Sequence, residues 1–198
     1  CSSDLRFRGS PPEPGFVRRW IRSLREHADP RVRELPIVVR PHPQRLAEWE
    51  GIDLAREFTG VHVFGSTPLD PAARADYFDS MYHAAVVIGL NTSALIESAI
   101  VDRPVYTILL PEFLENQEGT LHFQYLLRVG DGFLHTSRTF EEHAAQLLDG
   151  LAGTTGKRNR GFVEAFIRPG GLGEAATPRF ADAVEGTAAR SEEHTSEL

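Results

Sequence analysis

The sequence predicts an α/β fold, a Rossmann-like, doubly wound and mostly parallel sheet, from three observations. Short, continuously apolar segments at residues 35–39, 85–89 and 105–109 alternate with stretches whose apolar residues recur at helical spacing. Runs that are apolar at every position suit strands covered on both faces, as in parallel sheets. The composition is ordinarily globular, 41% hydrophobic and 25% charged, and 198 residues are enough for one good-sized domain.

Taken in order, residues 13–27 read as a helix, with Phe16, Val17, Trp20, Ile21 and Leu24 on one stripe and arginines opposite. The run 35–39 makes a first strand, ended by Arg40, Pro41, His42 and Pro43. Two prolines around one histidine continue neither a strand nor a helix, so a rigid turn is expected there. Residues 61–64 give a second strand, stopped by Gly65, and a helix over 71–84 is expected to bury Tyr77, Phe78, Met81 and Tyr82. A third strand (85–89), a helix (92–101) and a fourth strand (105–109) follow. Residues 111–120 read as irregular, 121–129 as helical, 133–135 as a fifth strand and 139–151 as a clear helix. Residues 153–161 mark a surface connection. Phe162, Val163, Phe166 and Ile167 form another amphipathic helix, closed by the turn at Pro169, Gly170 and Gly171, and a last helix covers 178–184.

Several classes of function are disfavoured. The formal net charge is −7 and no cluster of Lys or Arg stands out, so a basic groove for nucleic acid is not expected. The only cysteine is Cys1, which excludes an intrachain disulfide and a cysteine-based zinc site. Asp79 and His83 share a helix face but lack a third ligand, so they read as solvated and no metal site is expected. No apolar run approaches the roughly 20 residues that span a bilayer. No transmembrane segment is expected, and the setting reads as cytoplasmic, free or at the inner face of the membrane. Residues 190–198 resemble one reading frame of a widely used sequencing adapter. They are expected to be a non-native tail, with a polar disordered tail as the alternative.

Ligands in open α/β sheets bind beyond the carboxyl ends of the strands. The most informative such place runs from residue 85 to 105, a strand, a small polar turn and a helix. Asn91, Thr92 and Ser93 can cap that helix while leaving its first amides open to a phosphate or diphosphate. Leu95, Ile96, Ala99 and Ile100 are expected to form the buried face, leaving Glu97 near the mouth, where a carboxylate can accept hydrogen bonds from two ribose hydroxyls. The plainer readings are an ordinary N-cap and a solvated helix carboxylate. Arg40 and His42, at the carboxyl end of the first strand, are candidates for a phosphate or donor contact, against simple surface and turn roles. His122 and Gln124 are weaker candidates for the base or sugar.

This segment, with Glu97 seven residues before Pro104 and an apolar strand after it, resembles the donor-binding segment of GT-B proteins. That superfamily includes nucleotide-sugar glycosyltransferases, UDP-N-acetylglucosamine 2-epimerases and CDP-glycerol-type polyol-phosphate transferases. The strand and turn at Val38, Val39, Arg40, Pro41, His42 and Pro43 also look like those domains. The resemblance implies that Asn91, Thr92 and Ser93 hold the donor diphosphate and Glu97 the ribose, with a basic or polar group at Arg40 and His42 facing the donor. Many members carry glycine in the turn, and this sequence does not.

The implied architecture is a single lobe, residues 1–189, of a two-lobe GT-B protein. It would lack the N-terminal lobe and a first strand upstream, with Ser2 and Ser3 as remnants of that strand's loop. The implied function is the donor nucleotide-sugar-binding lobe of a glycosyltransferase of surface polysaccharide or glycoconjugate synthesis. Its partners would be a nucleotide-diphosphate sugar, as substrate rather than cofactor, and the missing lobe of the same chain. A 2-epimerase or polyol-phosphate transferase lobe is the enzymatic alternative, and a non-catalytic nucleotide-binding or interaction module the other. No Asp-x-Asp motif is present. The lobe alone is expected to bind nucleotide weakly or not at all and to turn nothing over.

Overall fold

Proline and short oxygen-bearing side chains begin most of the helices. In the computed structural model, which describes residues 11–65, 67–153 and 158–196 and side chains as far as 187, α1 spans Glu13–Arg25 behind Pro12, with Pro14 in its first turn. Asp29 caps α2 (Pro30–Arg33) through the amide of Arg31, and Asp53 caps α3 (Leu54–Glu57) through that of Arg56. Asp70 caps α4 (Pro71–Tyr82) through the amide of Ala73 at 2.9 Å. Thr139 caps α7 (Phe140–Leu151) through the amide of Glu142, whose carboxylate reaches back to the amide of Arg138 at 2.7 Å. This reciprocal satisfaction of orphan donors is close to a capping box. The other helices are α5 (Ala94–Ile100), α6 (Leu121–Arg128), α8 (Asn159–Phe162) and α9 (Ala176–Ser196).

Five short strands, β1 (Ile37–Val39), β2 (Val61–Val63), β3 (Val87–Ile88), β4 (Val105–Ile108) and β5 (Leu134–Ser137), form two parallel sheets. One is β1–β2, with Ile37 opposite Val61 and Val39 opposite Val63. The other is β3–β4–β5, with Val87 opposite Val105 and the ladder continuing from Val105–Leu134 to Ile108–Ser137. The fold is therefore mixed α/β with short parallel sheets.

β4 explains its own apolar sequence. Tyr106 and Ile108 enter a core built from Phe16, Trp20, Ile21 and Leu24 of α1, Ala144 and Leu147 of α7, and the β1 and β2 residues Ile37, Val39 and Val61. Val105 and Leu109 enter a second core with Leu95, Ala99, Phe123, Phe133, Leu134 and Phe162. Alternate residues of one strand thus feed opposite faces, so every position is apolar or, at Thr107, hydrogen-bonded. The two sheets are not hydrogen-bonded to one another but share the first core.

The structure departs from the sequence reading in places. α4 buries Ala73 and Met81; Phe78 and Tyr82 are 46% and 45% exposed and stack on each other at 5.3 Å, while Tyr77 is half-buried. Aromatic spacing gives the helix but not the face turned inward. On α5 the buried set is Leu95, Ser98 and Ala99, with Ile100 half in solvent, and Ser98 is satisfied by donating to the carbonyl of Ala94 at 2.7 Å. The turn after β1 contains a 3-10 helix, Pro43–Trp49, in which buried Arg45 donates to Glu48 at 2.6 Å and to the carbonyl of Pro11, just before α1, at 2.9 Å, while Glu48 accepts from the first amide of α1, Glu13, at 3.0 Å. The helix expected around Phe162 is α8 running into a π-turn, Val163–Ile167, closed by the Arg168 amide on the carbonyl of Val163. The last helix is longer than expected and carries helical backbone through Arg190 to Ser196. Ser2 and Ser3, and part of the 153–161 connection, lie outside the described residues. Among the described residues no helix is long and apolar enough to cross a membrane.

Candidate functional site

The carboxyl ends of β1 and β2 deliver Arg40 and Phe64 to one region, where Tyr77 of α4 and Glu97 of α5 join them. Arg40 follows β1, where Pro41 removes the next ladder donor. Its guanidinium lies over two rings, Phe64 at 5.6 Å and Tyr77 at 5.2 Å, both within cation–π range. It also donates to the carbonyl of Asp76, at the long limit of 3.5 Å. Among the described residues Arg40 makes no ion pair, although carboxylates outnumber cations in the chain.

Gly65 makes room for this arrangement. Its φ is +106°, and a Cβ there would lie 2.5 Å from Arg40 Cζ. Gly65→Ala is therefore expected to push the guanidinium off its rings and to cost about 1 kcal/mol in backbone strain. Urea unfolding would measure the cost, and loss of the ring-shifted Arg40 side-chain NMR signals would report the displacement.

Tyr77 links Arg40 to Glu97. Its hydroxyl donates a hydrogen bond to Glu97 Oε2, so one α4 residue touches both predicted site residues. Burial first, and then this hydrogen bond to a carboxylate, raises the Tyr77 hydroxyl well above its ordinary range, which keeps it a donor at any physiological pH. Glu97 is half-buried, and among the described residues its Oε1 accepts no hydrogen bond. The sequence marks neither Tyr77 nor Phe64 as a site residue. Phe64 followed by glycine at a strand end is the one local signal, whereas Tyr77 has the spacing of a core aromatic.

The polar turn has its own partners. The Asn91 amide nitrogen donates to the carbonyl of Asn116 and lies 2.9 Å from His122 Nε2, tying the turn to the loop before α6. Buried Gln117 reinforces this, its Nε2 sitting 3.1 Å from both the carbonyl of Leu90 and Thr107 Oγ1 and 3.2 Å from the carbonyl of Ile108. Thr92 Oγ1 accepts from the amide of Ala94 at 3.4 Å. Ser93 already has helical dihedrals and makes no side-chain cap. Thr92, not Ser93, is thus the capping side chain, and α5 is only seven residues long, which limits its dipole.

His42 N-caps the 3-10 helix, its Nδ1 accepting from the amide of Gln44 at 3.2 Å. In the neutral ring that bond places the proton on Nε2. The structure therefore brings Arg40 and Glu97 together through Tyr77, holds Asn91 against His122, and engages His42 with its own loop. Gln124 instead donates to the carbonyl of Glu118. Among the described residues no three His, Cys, Asp or Glu side chains are grouped to hold a metal ion.

Compared with protein-family models, with curated proteins and with solved structures, the chain gives no match.

Proposed function

We propose that the chain is the donor nucleotide-sugar-binding lobe of a glycosyltransferase of GT-B type, its two parallel ladders being parts of a doubly wound, Rossmann-like arrangement. The observation that carries this reading is the convergence of Arg40, from the end of β1, and Glu97, from the helix after β3, on one tyrosine. Among the described residues, a cation without a carboxylate partner and a carboxylate with an open oxygen then sit at neighbouring points of the strand ends, the usual ligand side of such a sheet.

In this reading Glu97 Oε1 accepts hydrogen bonds from the ribose hydroxyls, and Arg40 meets the diphosphate, helped by the backbone amides at Asn91, Thr92 and Ser93. Sugar transfer leaves a nucleoside diphosphate whose charge grows as the glycosidic bond breaks. A fixed guanidinium beside that charge stabilises the departing group. His42, N-capping the 3-10 helix, lies in the same set of strand-end loops. The acceptor and the base that activates it would come from a second lobe.

The test is an NMR titration of the chain with UDP, GDP and CDP, which reads weak binding directly. At least one is expected to shift the amides around residues 91–97, and Glu97→Ala is expected to weaken it about tenfold, the scale of hydrogen bonds to a charged group. Identical binding by the variant would remove Glu97 from the site, and silence from all three nucleotides would remove the nucleotide reading.

A further inference from the structure

We propose that Tyr77 is the positioning residue of this site. Its ring, with that of Phe64, holds the Arg40 guanidinium ready for an anion, while its hydroxyl fixes Glu97 with one oxygen left open. This rests on the reading of the strand-end mouth given above. An arginine side chain in solvent samples many rotamers, and ordering it on ligand binding weakens affinity. Arg40 has already lost that freedom. Rings at 5.2 and 5.6 Å hold it, the carbonyl of Asp76 takes one N–H, and the missing side chain of Gly65 provides the space.

These contacts come from neutral partners, so the positive charge is oriented without being neutralised. A carboxylate in the same place would hold the arginine equally well and cancel its use. Tyr77 takes only Oε2 of Glu97, and a carboxylate has about four acceptor sites, so a diol can still be bound at Oε1. The ring therefore serves an anion contact and the hydroxyl a diol contact, and the two can be separated by substitution.

The experiment titrates the full chain, by NMR, with inorganic pyrophosphate, which lacks a ribose, and with UDP. Tyr77→Phe keeps the ring and is expected to hold pyrophosphate affinity within about twofold while weakening UDP about threefold or more. Tyr77→Leu and, at an exposed position that cannot unfold the core, Phe64→Leu are each expected to weaken pyrophosphate about fivefold, the scale of one exposed cation–π contact. In the ligand-free protein the ring-shifted Arg40 signals should survive Tyr77→Phe and vanish in Tyr77→Leu. Pyrophosphate binding unaffected by both leucine variants, or absent from the wild type, overturns the proposal. UDP binding no tighter than pyrophosphate, with the pyrophosphate pattern as expected, instead sinks the nucleotide reading and leaves Tyr77 as the holder of an anion site.

Discussion

Gly130→Ala is expected to cost about 3 kcal/mol of folding stability, a large loss for the addition of one methyl group. Gly130 has φ +59°, and a Cβ there would stand 2.5 Å from the carbonyl carbon of Gly161 and 2.7 Å from the amide nitrogen of Phe162. These are backbone atoms and cannot rotate aside. Relief requires moving the start of α8, which carries the fully buried Phe162 against Phe133 at 4.4 Å and anchors Asn159 to the carbonyl of Arg103 at 2.8 Å. Left-handed backbone alone costs alanine about 1 kcal/mol, and overpacking against an immovable neighbour adds about 1–3 kcal/mol. Gly51→Ala is the control, since its φ is +73° with nothing within 4 Å. Urea midpoints of the two variants separate strain from collision, and equal losses would refute the close approach.

At pH 5 the protein is expected to be about 2 kcal/mol less stable than at pH 8 through His143 alone. His143 is wholly buried between Trp20 and Tyr106, with ring centroids 6.2 and 6.0 Å away, and among the described residues neither ring nitrogen finds a hydrogen-bond partner. Burial without a partner lowers its pKa from 6.5 to about 4. Between those values the unfolded chain binds a proton that the folded chain refuses, so stability falls as pH drops from 6.5 towards 4 and levels off below. His135, also lowered by burial and by nearby Arg158, adds a decline of the same sign. His143→Leu should remove most of the slope, leaving the part due to His135. Urea unfolding of both proteins at pH 8, 6.5, 5 and 4 checks it, and an unchanged slope in the variant would assign the acid sensitivity elsewhere. Asp29, held at about 2 by Arg31, begins to lose its own stabilising contribution below about pH 5, but it does so in both proteins alike and cancels in the comparison.

What the sequence makes legible is local. The stripe of α1, the largely apolar β4 and the helix over 139–151 are each written within a few neighbouring residues, and all three are present. The four-residue helices α2 and α3 and the 3-10 turn after β1 are too short to carry a period, so no pattern announces them. α4 is the instructive case. Its spacing is helical and so is its backbone, but the depth of its aromatics depends on what lies against them, which spacing does not encode. The site divides in the same way. The strand, polar turn and helix around Asn91 and Glu97 are visible as a contiguous motif. Tyr77, 20 residues from Glu97, enters only through the tertiary fold, and so does the contact that brings His122, already a sequence candidate, to Asn91, 31 residues away.

The separation of the two sheets gives the mouth a second property. Arg40 belongs to the β1–β2 ladder and Glu97 to the β3–β4–β5 side, with no backbone hydrogen bond between the ladders. A molecule held at both ends would therefore bridge two ladders that share a core but no backbone hydrogen bond. By linkage, whatever binds only the joined state stabilises it by the same amount. That gain should concentrate in the smaller ladder, slowing amide hydrogen exchange at Val38 and His62 more than at Thr107. Protection of the β1–β2 ladder would then rise and fall with the occupancy of the site.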